Sequence, residues 1–225
     1  MAMSQHLQGP TDGTARATRP SRTEGRSSEL SEIYRQVYVS LDLPHDAHPL
    51  VIGVTSAISG EGRTTVALGL AQTLAADLDT PITLVEVDLE RPSLALHFGL
   101  APSPGLCEVL RGECGFDEVM RAVSEGLSVV TAGTVGPDTA RLLHQLPARD
   151  PFHGTQAPQG LVILDLPPVI NHSYSSLAAS VADAVVLVVR AGVTPSDVVQ
   201  EAIARLENRP PQGVIFNAPR TAFPT

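Results

Sequence analysis

Ser56-Ala57-Ile58-Ser59-Gly60-Glu61-Gly62-Arg63-Thr64-Thr65 is the stretch that decides the fold of this chain. An aliphatic run, Leu50-Val51-Ile52-Gly53-Val54, precedes it, and Val66, Leu70, Leu74 and Leu78 follow on one helical face. A glycine-rich turn from a buried strand into a helix lets backbone N–H groups turn inward around phosphate oxygens. The helix that starts there adds free N–H groups and the positive end of its dipole. The segment therefore reads as a phosphate loop. Gly60, Glu61, Gly62, Arg63, Thr64 and Thr65 are its candidate nucleotide-binding residues, and the Thr64 hydroxyl is placed to ligate Mg²⁺. The usual pattern is Gly-x-x-x-x-Gly-Lys-[Ser/Thr]; here Ala57 replaces the first Gly and Arg63 the Lys. An arginine fork suits bidentate phosphate contacts but is longer and planar, so it does not reproduce a lysine point charge. Binding tolerates that exchange better than catalysis does.

Working outward, five more short aliphatic runs occupy 82–87, 127–130, 161–164, 184–189 and 213–216. They are β-branched and do not alternate, as expected of parallel strands covered on both faces. Helical patterns fill 29–41, 65–78 and 195–206, the last opening with Ser196 and Asp197 as expected caps. Strands alternating with helices predict an α/β fold, a doubly wound, mostly parallel sheet flanked by helices. The segment 147–160, with three prolines and two glycines, reads as a loop.

Two of these strands end in acid. The second runs into Glu86-Val87-Asp88, and alternation puts Glu86 and Asp88 on one side. If that end faces the phosphate loop, both carboxylates approach the metal and the γ-phosphate, Glu86 as base and Asp88 as metal or water ligand. A later strand ends Leu164-Asp165-Leu166-Pro167-Pro168, where Asp165 stands in position to hold Mg²⁺ directly or through water. The alternatives are a solvated acidic turn for the first and an Asp opening a Pro-rich turn for the second. Three such features in this order on three strand ends favour a nucleotide site.

Bulk properties narrow the rest. With 225 residues, 43% hydrophobic and 17% charged, the chain suits one α/β domain over 29–225 behind a disordered tail over 1–28. The tail is weakly basic through Arg16, Arg19, Arg22 and Arg26. A net charge of −9 disfavours a general nucleic-acid binder, while leaving room for a local basic patch. Cys107 and Cys114 lie in no Cys/His cluster, so they read as reduced thiols rather than zinc ligands. No apolar run approaches the ~18 residues of a membrane span, and no export signal is found, so the expected location is cytoplasmic.

With these residues in place, the chain resembles the bacterial tyrosine kinases (BY-kinases) of capsular and exopolysaccharide assembly, relatives of the Min/Par-type P-loop ATPases. The resemblance runs from about 29 to 219. It rests on Gly60-Glu61-Gly62-Arg63-Thr64-Thr65, on Val87-Asp88-Leu89-Glu90-Arg91-Pro92 with Phe98-Gly99-Leu100, and on Pro104-Gly105-Leu106 with Leu110-Arg111-Gly112. Leu164-Asp165-Leu166-Pro167-Pro168 and Val189-Arg190-Ala191-Gly192 complete it. It implies a P-loop NTPase fold, MgATP as cofactor and phosphoryl transfer to tyrosine. The implied partner is a membrane polysaccharide co-polymerase or chain-length regulator, which recruits the kinase to the inner face of the cell membrane. It also implies homo-oligomers, Asn217 against adenine and Arg190 near the nucleotide.

The chain departs from that family at Arg63 and at Glu86, where Asp is usual. Tyr174 stands near the place of an Asp after the Pro-Pro turn. The second Arg of the N-terminal Glu-x-x-Arg-x-x-Arg is missing, and so is the C-terminal tyrosine cluster. The helix usual before the last acidic strand reads as replaced by the 147–160 loop. Tyr34 and Tyr38, one turn apart, read as packing residues. A non-catalytic subunit of the same machinery and a partitioning-type ATPase switch are the alternatives.

Overall fold

The computed structural model describes residues 22–41, 43, 49–172 and 174–217, with side chains described from residue 29 onward. The remainder of the expected tail, up to residue 21, and residues 218–225 lie outside the described residues.

The chain runs α1 (Arg22–Ser40), β1 (Leu50–Ser56), α2 (Arg63–Asp77), β2 (Ile82–Glu86), α3 (Leu94–Phe98), α4 (Leu106–Arg111) and α5 (Phe116–Val119). It continues β3 (Arg121–Ser124), β4 (Leu127–Val130), α6 (Thr139–Arg149), β5 (Leu161–Asp165), α7 (Ser175–Ala179), β6 (Ala184–Arg190), α8 (Ser196–Arg205) and β7 (Gly213–Asn217). The seven strands form one sheet in the order β3-β4-β2-β5-β1-β6-β7. All neighbours are parallel except β3 and β4.

Strands β1, β2 and β5 are buried along their whole length, which is why their sequences are continuous aliphatic runs. One face of the sheet packs Val66, Leu70 and Leu74 of α2 with Tyr34 and Val37 of α1. The other packs Leu110 of α4, Phe116 of α5, Leu142 and Leu146 of α6 and Ala178 of α7. The sheet is therefore doubly wound, as expected, and the carboxyl ends of β1, β2, β5, β6 and β7 share one edge of the domain. That edge is where open α/β sheets bind ligands.

Four expectations are corrected. Helix α1 begins at Arg22, so the helical backbone reaches seven residues into the segment read as tail. Strand β3, the antiparallel edge strand, went unread because it is four residues long with an alternating half-exposed pattern. The 147–160 segment is not wholly loop: α6 runs to Arg149 with Pro147 inside it. Proline there removes a single bond in the last turn, and no later turn exists for it to break. The helix before the last acidic strand is thus present. Finally, α8 starts from an extended Pro195, and neither Ser196 nor Asp197 caps it with a side-chain hydrogen bond.

Candidate active site

The phosphate loop joins β1 to α2 through two left-handed glycines, Gly60 at φ 86° and Gly62 at φ 88°. Non-glycine residues avoid that region. A side chain at Gly62 would also collide with the Asn217 amide, whereas the space beyond Gly60 is open. The loop is pinned from below. Ser56 Oγ donates to the Ile58 carbonyl at 2.8 Å. Val169 and Ile170, after the Pro-Pro turn, donate their N–H groups to the carbonyls of Ser56 and Ala57 at 2.8 and 3.0 Å.

Glu61, read as a nucleotide-binding residue, turns its buried side chain inward. Its Oε2 accepts the Ile58 N–H at 2.8 Å, and its Oε1 accepts the Arg190 N–H at 3.0 Å and the Thr194 hydroxyl. Asn217 Nδ2 donates to the Glu61 carbonyl at 2.8 Å. The loop is thereby bolted to the ends of β6 and β7. Thr194, which closes the stretch Arg190-Ala191-Gly192-Val193-Thr194, was given no role from sequence, because its contact with Glu61 depends on the loop after β6 folding onto the phosphate loop.

Arg63, first residue of α2, reaches across the end of the sheet. Its Nη2 bonds Asp88 Oδ2, and its Nε bonds Asp165 Oδ1 at 3.2 Å. The Thr64 hydroxyl donates to the other oxygen, Asp165 Oδ2, at 2.7 Å. Side-chain exposure is 11% for Arg63, 2% for Asp88 and 1% for Asp165, so the cluster lies nearly out of water. The Val87 and Asp88 N–H groups both donate to the Asp165 carbonyl, at 3.0 and 3.1 Å, which fixes the two acidic strand ends against each other. Burial pushes the Asp165 carboxyl up to about 6. The Arg63 charge and the Thr64 hydroxyl oppose this, and the neighbouring Glu86 and Asp88 charges add to it. Among the described residues, no group of three or more His, Cys, Asp or Glu is arranged to hold a metal ion. A cation here would rest on Asp165, the Thr64 hydroxyl and oxygens brought by a nucleotide, with Asp88 facing it.

Glu86 does something else. Its Oε1 accepts the N–H groups of Ser93 and Leu94, the latter at 2.8 Å, and its Oε2 accepts the Ala132 N–H at 3.2 Å. Burial raises its pKa while these three N–H groups pull it down. Val85 and Val87 point into the opposite core cluster, so Glu86 and Asp88 share the α2 face as alternation requires. Their tasks nevertheless differ: Glu86 stitches the start of α3 and the chain after β4 to the end of β2, while Asp88 meets Arg63.

Other site residues fall at the rim. Thr65 is exposed and lines a groove with Leu30, Tyr34 and Gly69, away from the carboxylates. Arg190 is exposed at the end of β6, paired in register with Asn217. Tyr174 is buried; its hydroxyl bonds Glu90 Oε1, and its ring stacks on His172, whose Nδ1 lies 3.2 Å from Glu90 Oε2. Glu90 was not singled out from sequence, although it continues the Glu86, Asp88, Glu90 alternation. Burial and the Glu90 contact raise the Tyr174 pKa. Cys107 and Cys114 are free thiols, and burial pushes Cys107 up to about 11, which removes it as a nucleophile at neutral pH.

The chain is 30% identical over 169 residues to the tyrosine-protein kinase YwqD of Bacillus subtilis, covering 74% of this chain and 71% of that one. It is 28% identical over 194 residues to the tyrosine-protein kinase CpsD of Streptococcus pneumoniae, covering 84% of each. It spans about a quarter of the length of several other tyrosine kinases that it matches. The crystal structure of the VpsO kinase domain superposes with a TM-score of 0.70 at 28% identity, over 88% of this chain and 98% of that one. The Pyrococcus furiosus cell division ATPase MinD superposes with a TM-score of 0.65 at 19% identity, over 77% and 74%, and shares the fold. No protein-family model matches the chain. Among the described residues, no helix is long and apolar enough to cross a membrane.

Proposed function

From the premise that the chain belongs to the bacterial tyrosine-kinase family, we propose that it binds MgATP at the β1–α2 loop and transfers the γ-phosphate to tyrosine in exopolysaccharide or capsule assembly. The observation that carries this reading is the meeting of Arg63, Thr64, Asp88 and Asp165 at the start of α2. Those residues fit the cofactor. Arg63 supplies a phosphate-binding fork, Thr64 and Asp165 the oxygens for Mg²⁺, and Asp88 the carboxylate that orients the acceptor hydroxyl and takes its proton. Mg²⁺, when bound, neutralises charge developing on the phosphate oxygens. Asp88 takes the base role in preference to Glu86 because both Glu86 oxygens already hold backbone N–H groups. Gly60 and Gly62 shape the loop, and Arg190 and Asn217 stand at the rim for the base and ribose.

The described tyrosines are packed residues rather than presented acceptors. The chain has three tyrosines. Tyr174 is buried in one core cluster, and Tyr34 and Tyr38 pack on the other. The reading extends to a cytoplasmic location and to recruitment at the inner face of the membrane by a polysaccharide co-polymerase or chain-length regulator.

Mass spectrometry of a tyrosine-bearing acceptor incubated with the chain and MgATP tests this. Phosphotyrosine is expected, and Asp165→Asn abolishes it. A second reading, a non-catalytic subunit of the same machinery, is favoured by the closed ion pairs of Arg63. Absence of phosphotyrosine, with or without a peptide from the membrane partner's cytoplasmic end, refutes transfer and selects that reading.

A further inference from the structure

The carboxylates that would face a divalent cation already share a cation of this chain itself, one guanidinium between two acids. Arg63 bridges Asp88 and Asp165 with two different nitrogens, and Thr64 holds the remaining Asp165 oxygen. A buried carboxylate pair without a cation is strongly unfavourable. The planar fork of arginine offers separate N–H directions to the two acids, which the single ammonium of lysine does not. The exchange at this position therefore changes the resting site as well as the phosphate contact.

We propose that Arg63 is a built-in counter-ion that fills the cation position of the resting site, so that the chain admits a divalent cation only together with nucleotide. This deepens the MgATP reading above and rests on it. Arg63 leaves Asp88 and Asp165 when the nucleotide phosphates take its N–H groups. The two carboxylates then face the incoming cation, and no covalent bond changes. The acids keep a positive partner throughout: one guanidinium leaves them for the phosphates as the divalent cation arrives with those phosphates. Free Mg²⁺ meets carboxylates already held by a guanidinium, and no group of three or more His, Cys, Asp or Glu among the described residues is arranged to hold it.

The test omits nucleotide at first. Mn²⁺ is titrated against the chain by electron paramagnetic resonance, and thermal unfolding is followed against Mg²⁺ concentration. The wild type is expected to bind no Mn²⁺ and to show a flat melting temperature. Arg63→Met is expected to gain Mn²⁺ affinity by about tenfold or more, because an adjacent positive charge is gone. Its melting temperature rises with Mg²⁺, and both effects vanish in Arg63→Met combined with Asp165→Asn. Should Arg63→Met fail to fold, Arg63→Lys is read in its place and shows a smaller gain in the same direction. Wild-type chain that binds Mn²⁺ alone as tightly as the variant overturns the proposal, as does a variant that gains nothing. A fluorescent ATP analogue, titrated in EDTA and in Mg²⁺, separates the two ideas. Binding in neither condition defeats the nucleotide reading, whereas the metal gain of the variant stands or falls without nucleotide.

Discussion

Asn217, the last residue of β7, donates its side-chain amide to the main-chain carbonyl of Glu61, 156 positions earlier, at 2.8 Å. A residue expected to touch adenine thus holds the phosphate loop itself. Asn217→Asp replaces the donor with an acceptor against that carbonyl, and one such lost bond costs roughly 1–3 kcal/mol. A lowered melting temperature and weaker ATP binding are both expected. Asn217→Asp chain that melts like wild type removes the tie as a support of the loop.

Glu86 and Asp88 separate by experiment. Glu86→Ala leaves three N–H groups without their acceptor, two of them buried at about 1–3 kcal/mol each, and is expected to lower stability by several kcal/mol in urea titration. Asp88→Asn keeps the backbone contacts and the Arg63–Asp165 pair, so it folds and loses phosphoryl transfer. Equal stability of Glu86→Ala and wild type contradicts the structural role.

Gly69 sits under the Tyr34 ring, where an added methyl would collide with it. Alanine favours a helix over glycine by about 1 kcal/mol, yet overpacking costs roughly 1–3 kcal/mol. Gly69→Ala alone is therefore destabilising, and in a Tyr34→Ala background it becomes stabilising. A thermal double-mutant cycle reads the change of sign; additive effects break the argument.

His153 links the chain after α6 to the start of β6. Its Nδ1 lies 2.7 Å from Asp150 Oδ1 and its Nε2 3.2 Å from Asp183 Oδ2, and Asp183 Oδ2 also accepts the Val51 N–H at 2.8 Å. Burial lowers the His153 pKa, but the two carboxylates outweigh it and leave the pKa raised above 6.5. The imidazolium therefore stabilises the fold fully below the ordinary histidine value, and that gain disappears as pH rises through the higher folded value. The pair is partly solvated, so the effect is at most about 1 kcal/mol. Melting curves of wild type and His153→Asn should differ at pH 6 and converge at pH 9; a constant gap contradicts the linkage.

The parallel core was legible because a strand covered on both faces has to be aliphatic throughout, as β1, β2 and β5 are; the run that forms β7 is corrected, because β7 is an edge strand whose Val214 and Phe216 stand exposed. Strand β3 has water on one side and a single neighbour, so its four residues carry no such demand. Arg63, Thr64, Asp88 and Asp165 were legible as ends of elements, since topology brings strand ends together. The partners of Glu86 and Glu61 were not, because their N–H donors come from segments whose approach depends on the finished packing. Pro147 misled because proline marks a break only where further helix would follow.

Helix α1 lies along α2 and touches it at two levels. The Tyr34 ring covers Gly69, and Arg35 grips Asp77 at the far end of α2 through Nε at 2.6 Å and Nη2 at 3.1 Å. The pair behaves as a strut and an arm. Through these two contacts α1 is fixed in position along α2, and the opposite tip of that arm is Arg63.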